Sequence, residues 1–132
     1  MKLNPRELEV MKILHESDEA LTSTEIVNAS TELTQSTVQA VLRKLLATDL
    51  VEVQGITHSG NVLSRTFGAT EKSREVLTEK FFHDYRCFRT IITKSAALAG
   101  MFEMDEDDSR RDDDIKEIEQ LLANLKQKKS RS

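Results

Sequence analysis

The sequence predicts a mostly α-helical fold with one small β-hairpin, and three observations carry that expectation. Apolar residues recur at helical spacing in three short segments before Asp49. A stretch rich in β-branched and apolar residues follows, divided by a Gly-Asn turn signal. From Thr70 onward the helical spacing returns and continues toward the C-terminus.

The first helix opens in "NPRELEVMKILHES". Asn4 suits an N-cap, Pro5 the first helical position, and Glu7 stands where a capping-box carboxylate reaches back. Leu8, Met11 and Leu14, with Val10 and Ile13 beside them, are read as its buried stripe, and the polar "HESDEA" ends it near Ser17. In "TSTEIVNAS", Thr22 and Glu25 repeat the cap spacing, so a second short helix is expected over about Ser23 to Asn28, burying Ile26 and Val27.

The third segment, "TQSTVQAVLRKLL", begins at Thr34, another cap residue. Val38, Val41, Leu42, Leu45 and Leu46 form one apolar face, leaving Gln35, Ser36, Gln39, Arg43 and Lys44 outward. Two short helices joined by a tight turn, the second exposing small polar and cationic side chains, constitute a helix-turn-helix. Strands are expected over Leu50 to Gln54 and Val62 to Phe67, with the turn in "THSGN". A hairpin placed directly after a helix-turn-helix is a wing. The predicted architecture is therefore a winged helix-turn-helix over residues 1–70, followed by a helical dimerisation segment over 71–132.

In that second segment Leu77, Phe81, Phe82, Tyr85, Phe88, Ile91 and Ile92 recur at three-to-four spacing. The acidic run from Glu103 to Asp114 interrupts the pattern and reads as a solvated linker. Ile115, Ile118, Leu122 and Leu125 then make a short heptad seam. Phe81, Phe82 and Ile91 with this seam are the candidate dimerisation residues, because such faces ordinarily meet a partner. The final "KQKKSRS", without apolar residues, is expected to be disordered.

Composition bounds the function. With 5% aromatic residues and no Trp, a large single core is not expected, and 32% charged residues suit extensive solvated helix surface. The single cysteine, Cys87, cannot form an internal disulfide, and the chain has neither a long apolar run nor a signal-like start, which together suggest a cytoplasmic protein with no membrane partner. The net charge is -4. Residues 1–70 hold six Lys/Arg against nine Asp/Glu, so any contact with nucleic acid has to rest on local placement of cations.

The outward face of the third segment has that placement. Arg43 has the donors for guanine O6 and N7, Gln39 the donor and acceptor for adenine N6 and N7, and the two lie one turn apart. Gln35, Ser36 and Thr37 stand at the helix N-terminus, where hydroxyls and backbone N–H groups suit a phosphate. In the wing His58, Ser59, Asn61 and Arg65 are candidates for backbone or minor-groove contact. An ordinary solvated helix and a turn chosen for its geometry would present the same residues. His83 and Cys87 share a helical face at metal-ligand spacing, but two ligands make no site, no third stands out, and an aromatic-rich helix more often holds such residues as packing. No Gly-rich phosphate loop, nucleophile pattern or calcium loop is present in the sequence, so neither an enzyme nor a cofactor is expected.

Taken in order, "LNPRELEVMKIL", "TSTEIV", "STVQAVLRKLL" and "SRTFGAT" resemble the penicillinase-repressor family over roughly residues 3–102. The resemblance implies a homodimeric repressor on an inverted-repeat operator in double-stranded DNA. By position it assigns Ser36, Thr37, Gln39, Arg43 and Lys44 to groove and phosphate contacts, with the wing from Ser59 to Arg65 beside them. In β-lactam-responsive members a regulatory protease cuts an Asn-Phe bond in the dimerisation segment. The corresponding place is "LAGMFEMD", where Met101 precedes Phe102 instead of Asn. The clustered cysteines of copper-responsive members are absent, and the family's Trp after the first helix is replaced by His15 or a neighbour. The alternative from another class is a winged-helix adaptor that binds protein and no specific DNA.

Overall fold

The computed structural model describes residues 2–104 and 108–130. In chain order these form α1 (Pro5–Glu16), α2 (Ser23–Ala29), α3 (Gln35–Ala47), β1 (Val51–Ser59), β2 (Val62–Ala69), α4 (Glu71–Phe88), α5 (Lys94–Met104), a 3₁₀ turn (Asp108–Arg110) and α6 (Arg111–Ser130). The protein is mostly helical with one antiparallel hairpin. It divides into two compact units, residues 1–84 and 85–132.

The helix starts follow the cap chemistry. Asn4 Oδ1 accepts the Glu7 N–H at 2.8 Å while Glu7 Oε1 accepts the Asn4 N–H at 3.1 Å, a complete capping box. Thr22 and Glu25 repeat it on α2, and Thr34 Oγ1 accepts the Thr37 N–H at 3.2 Å on α3. The end of α3 is a Schellman motif: the Leu50 N–H reaches Leu45 O at 2.9 Å and the Asp49 N–H reaches Leu46 O at 3.2 Å. Asp49 accordingly takes a left-handed φ of 62°.

Val10, Met11 and Leu14 of α1, Ile26 of α2, and Val38, Val41, Leu42 and Leu45 of α3 form the core with Leu50, Val51 and Phe67. One part of the expected α1 stripe is corrected: Leu8 is exposed and Glu7, one residue earlier, is buried. Positions 7, 10, 11 and 14 form the inward face, so Leu8 lies one residue off it.

The hairpin is longer than expected. Its loop is Gly60 and Asn61 alone, because residues 57–59 pair with residues 62–64 and do not belong to the turn. Gly60 has φ 67°, the positive value that the first central position of a type II′ turn demands. Leu21 adds a one-residue third strand, exchanging backbone hydrogen bonds with Phe67 at 3.0 and 2.7 Å. This clasp ties the segment before α2 to the wing.

The first unit takes in α4 as far as Asp84, beyond the boundary expected at residue 70, because Val76 and Leu77 pack against the core. In the second unit the helical pattern breaks after Phe88, whose carbonyl accepts the N–H groups of Ile91 and Ile92 at 2.8 Å. Thr93 restarts it as the cap of α5, its Oγ1 accepting the Ala96 N–H at 3.1 Å. Residues 105–107 of the acidic run lie outside the described residues. The expectation of a disordered tail is corrected through Ser130, where α6 continues; Lys and Gln are good helix formers, and cations suit a helix C-terminus.

Candidate nucleic-acid interface

Helix α3 presents Ser36, Gln39 and Arg43 to solvent at spacings of three and four, one continuous stripe opposite its buried face. The inward pull of Val38, Val41, Leu42 and Leu45, all buried, fixes this orientation. Between α3 and the returning strand β2 runs a groove of about 500 Å³, lined by Ser23, Gln39, Arg43, Ser64 and Arg65 over an apolar floor of Leu42, Leu46 and Phe67. Arg43 and Arg65, from elements far apart in sequence, thus share one groove. The Arg65 guanidinium lies over the Phe67 ring, 5.3 Å from its centroid, a cation–π contact within the hairpin.

The N-terminal residues of α3 are organised by neighbours. Gln35 Nε2 donates to Ser23 Oγ at 2.8 Å, joining the starts of α2 and α3. Thr34 Oγ1 donates to Thr37 Oγ1 at 2.9 Å, so Thr37 belongs to the cap and is half-buried, while Ser36 stands exposed. His58 and Asn61 are exposed on the wing, with Ser59 on the strand before the turn.

Lys44 is placed differently from Arg43. Its ammonium lies 3.1 Å from Oε1 and 3.0 Å from Oε2 of Glu7, a carboxylate only 1% exposed. The residue therefore leans toward α1 and neutralises a buried charge while its side chain stays 55% exposed. The same carboxylate caps α1, so one side chain links the start of that helix to α3.

Ser23 is the polar groove residue that sequence reasoning missed, whereas Ser64 falls within the wing from Ser59 to Arg65 without having been singled out. Ser23 was legible only as the first residue of α2, since nothing in "TSTE" indicates that this helix start approaches α3. On the other side of α1, His15 Nε2 lies 2.9 Å from Ser73 Oγ, and that hydroxyl donates to Thr70 O at 2.5 Å. The imidazole consequently donates through Nε2. Burial, then the neighbouring Arg74 charge, lower its pKa below the ordinary value of 6.5, against an opposing pull from Glu71.

Phe81, Phe82, Ile91, Ile115, Leu122 and Leu125 are all exposed, by 38% at Ile115 up to 77% at Ile91, and Ile118 is half-buried. Met101 and Phe102 lie inside α5, where the Phe102 carbonyl accepts from Arg111 Nη2 at 3.1 Å. His83 and Cys87 are exposed on α4. Among the described residues no three His, Cys, Asp or Glu side chains are grouped to hold a metal ion, and no helix is long and apolar enough to cross a membrane.

No protein-family model matches the chain, and no curated protein does. Solved structures do. A PadR family transcription regulator from Clostridium difficile is 15% identical, with a TM-score of 0.51 over 67% of this chain and 94% of its own. A MepR mutant from Staphylococcus aureus, bound to an oligodeoxyribonucleotide, is 18% identical with a TM-score of 0.51, covering 97% of this chain and 78% of its own. The adhesin competence repressor of Streptococcus pyogenes is 14% identical with a TM-score of 0.50, covering 94% and 80%. These likenesses establish the winged-helix fold; the resemblance to penicillinase repressors rests on the sequence motifs.

Proposed function

We propose that this protein is a cytoplasmic, sequence-specific DNA-binding transcriptional repressor that acts as a homodimer on an inverted-repeat operator. The observation that carries the reading is the groove in which Gln39 and Arg43 of α3 lie beside Ser64 and Arg65 of β2. Helix α3 is then the recognition helix, with Arg43 and Gln39 reading base edges and Ser36 and Arg65 contacting the backbone. Gln35 and Thr37 set the start of that helix, and Lys44 holds it against α1. His58, Ser59 and Asn61 belong to the wing's share of the duplex.

Homodimerisation is supported by the exposed apolar side chains of α4 and α6, more than a solvated helix surface calls for. Binding both half-sites through one dimer makes the second contact intramolecular and raises the affinity of the pair above that of either half. As for release, cleavage by a regulatory protease at Met101–Phe102 would require α5 to unwind locally, since that bond is helical. A signal that separates the two copies without cleavage would serve equally.

Selection of bound sequences from a random double-stranded DNA pool, followed by mass determination of the complex, tests this directly. An inverted repeat carrying two chains is the expected product. No enrichment over random DNA would leave the winged helix as a protein-binding adaptor and the α3 stripe as ordinary solvated surface.

A further inference from the structure

Between Lys44 and Arg65 the chain contains no Lys or Arg. The outer half of the hairpin instead exposes Ile56 by 67% and Leu63 by 62% on one face, and Val62, paired with Ser59 beside the turn, by 66% on the other. The pairing register explains how they are presented. Val53 pairs with Phe67, yet Gly55 already pairs with Thr66, so Gln54 is an extra residue in β1. Side chains alternate along a strand, and a one-residue insertion therefore moves everything beyond it to the other face. Ile56 comes to lie opposite Arg65, and His58 opposite Leu63. Cross-strand partners share a face, which here also carries the buried Phe67. Moving outward from the core, that face shows Phe67 with its partner Val53, then Arg65, Ile56, Leu63 and His58, while Glu52, paired with Gly68, lies on the opposite face.

We propose that this strip is an apolar minor-groove contact: Ile56 and Leu63 enter the minor groove beside the bases read by α3 and pack against sugars and base edges. The inference rests on the DNA-binding function proposed above. A hairpin tip without Lys or Arg gains little from counterion release, so its contact with DNA has to come from removing apolar surface from water. Apolar side chains are also what minor-groove binding proteins insert. Through Arg65 and Phe67 the strip continues the groove that holds Gln39 and Arg43, so one duplex reaches both. A protein partner is poorly served, because a few hairpin side chains fall far short of the roughly 800 Å² per partner that a stable complex buries.

The minor groove supplies a chemical test, because G·C places a 2-amino group there and A·T does not. The DNA selected by the wild-type protein is prepared with A·T, G·C or inosine·C pairs flanking each base contact, and binding is measured at two salt concentrations. Wild type is compared with an Ile56→Ser/Leu63→Ser variant. Wild type should bind roughly tenfold more weakly when the flanks become G·C and recover on inosine·C, which lacks the amino group. The variant should bind A·T-flanked DNA roughly tenfold more weakly than wild type, show an unchanged salt slope, and no longer distinguish the three flanks. Equal binding by the two proteins, or a loss in the variant that is the same on every flank, would overturn the proposal. So would a lower mass of the free variant, which would make the strip a contact between protein chains. Both side chains are exposed, and a thermal unfolding midpoint equal to that of wild type establishes that the fold is intact. If wild type selects no DNA at all, the failure lies with the proposed function itself and is visible before the variant is made.

Discussion

Lys44 and Arg43 are adjacent cations on one helix, and their surroundings give them different work. Arg43 faces the groove, whereas Lys44 is the counter-charge of a carboxylate that is 1% exposed. Removing the ammonium leaves a buried acceptor unpaired, so Lys44→Ala should lower folding stability by about 1 to 3 kcal/mol. Urea unfolding measures this, and a midpoint equal to that of wild type would show the pair to be dispensable. His15 makes a second residue-scale prediction. Its pKa is lowered in the folded state, so on acidification the unfolded chain takes up the proton first. The stability this residue contributes is complete above the ordinary value of 6.5 and is lost as pH falls through the lower folded value. Compared with wild type, His15→Gln should lose less stability on acidification through that range. Parallel pH profiles of the two proteins would contradict this.

At the scale of elements, α3 and the hairpin depend on each other. Leu21 clasps Phe67, and Thr70 Oγ1 donates to Asp49 O at 2.7 Å just beyond the end of α3, so the wing base and the recognition helix are held as one piece. Arg43→Ala should therefore remove a contact without moving the frame. It is expected to cost about 1 to 3 kcal/mol of operator affinity and to relax preference at one base position. Equal losses on specific and random DNA would mean that Arg43 touches only backbone. The bulge at Gln54 is the device that sets the outer wing, because it decides which face Ile56 and His58 occupy.

For the molecule as a whole, the question is what covers the apolar side chains of the second unit. Leu122 is 53% exposed on α6, in line with Ile115, Ile118 and Leu125. A second copy is the proposed partner, and Leu122→Asp should then shift the mass toward a single chain and weaken operator binding while leaving the base preferences as they were. A variant that stays dimeric and binds normally would place the interface elsewhere. Helical spacing points to exposed faces of this kind, though not to which copy or partner meets them.

Local chemistry was readable in the chain itself. Asn4 with Glu7, Thr22 with Glu25, and Thr34 announce helix starts, because caps are satisfied by residues three positions apart. The periodicity of Val38 to Leu45 likewise determines which side of α3 is outward. Three-dimensional packing decided the rest. It paired Lys44 with Glu7 across 37 residues, brought Ser23 and Arg65 to the groove, and joined Leu21 to Phe67. It also inserted Gln54 as a bulge, which no alternation of residue types reveals. Caps and amphipathic faces depend on neighbours within a turn of helix, and so they are written in order along the chain. Ion pairs, strand register and grooves depend on residues that meet only once the core has closed.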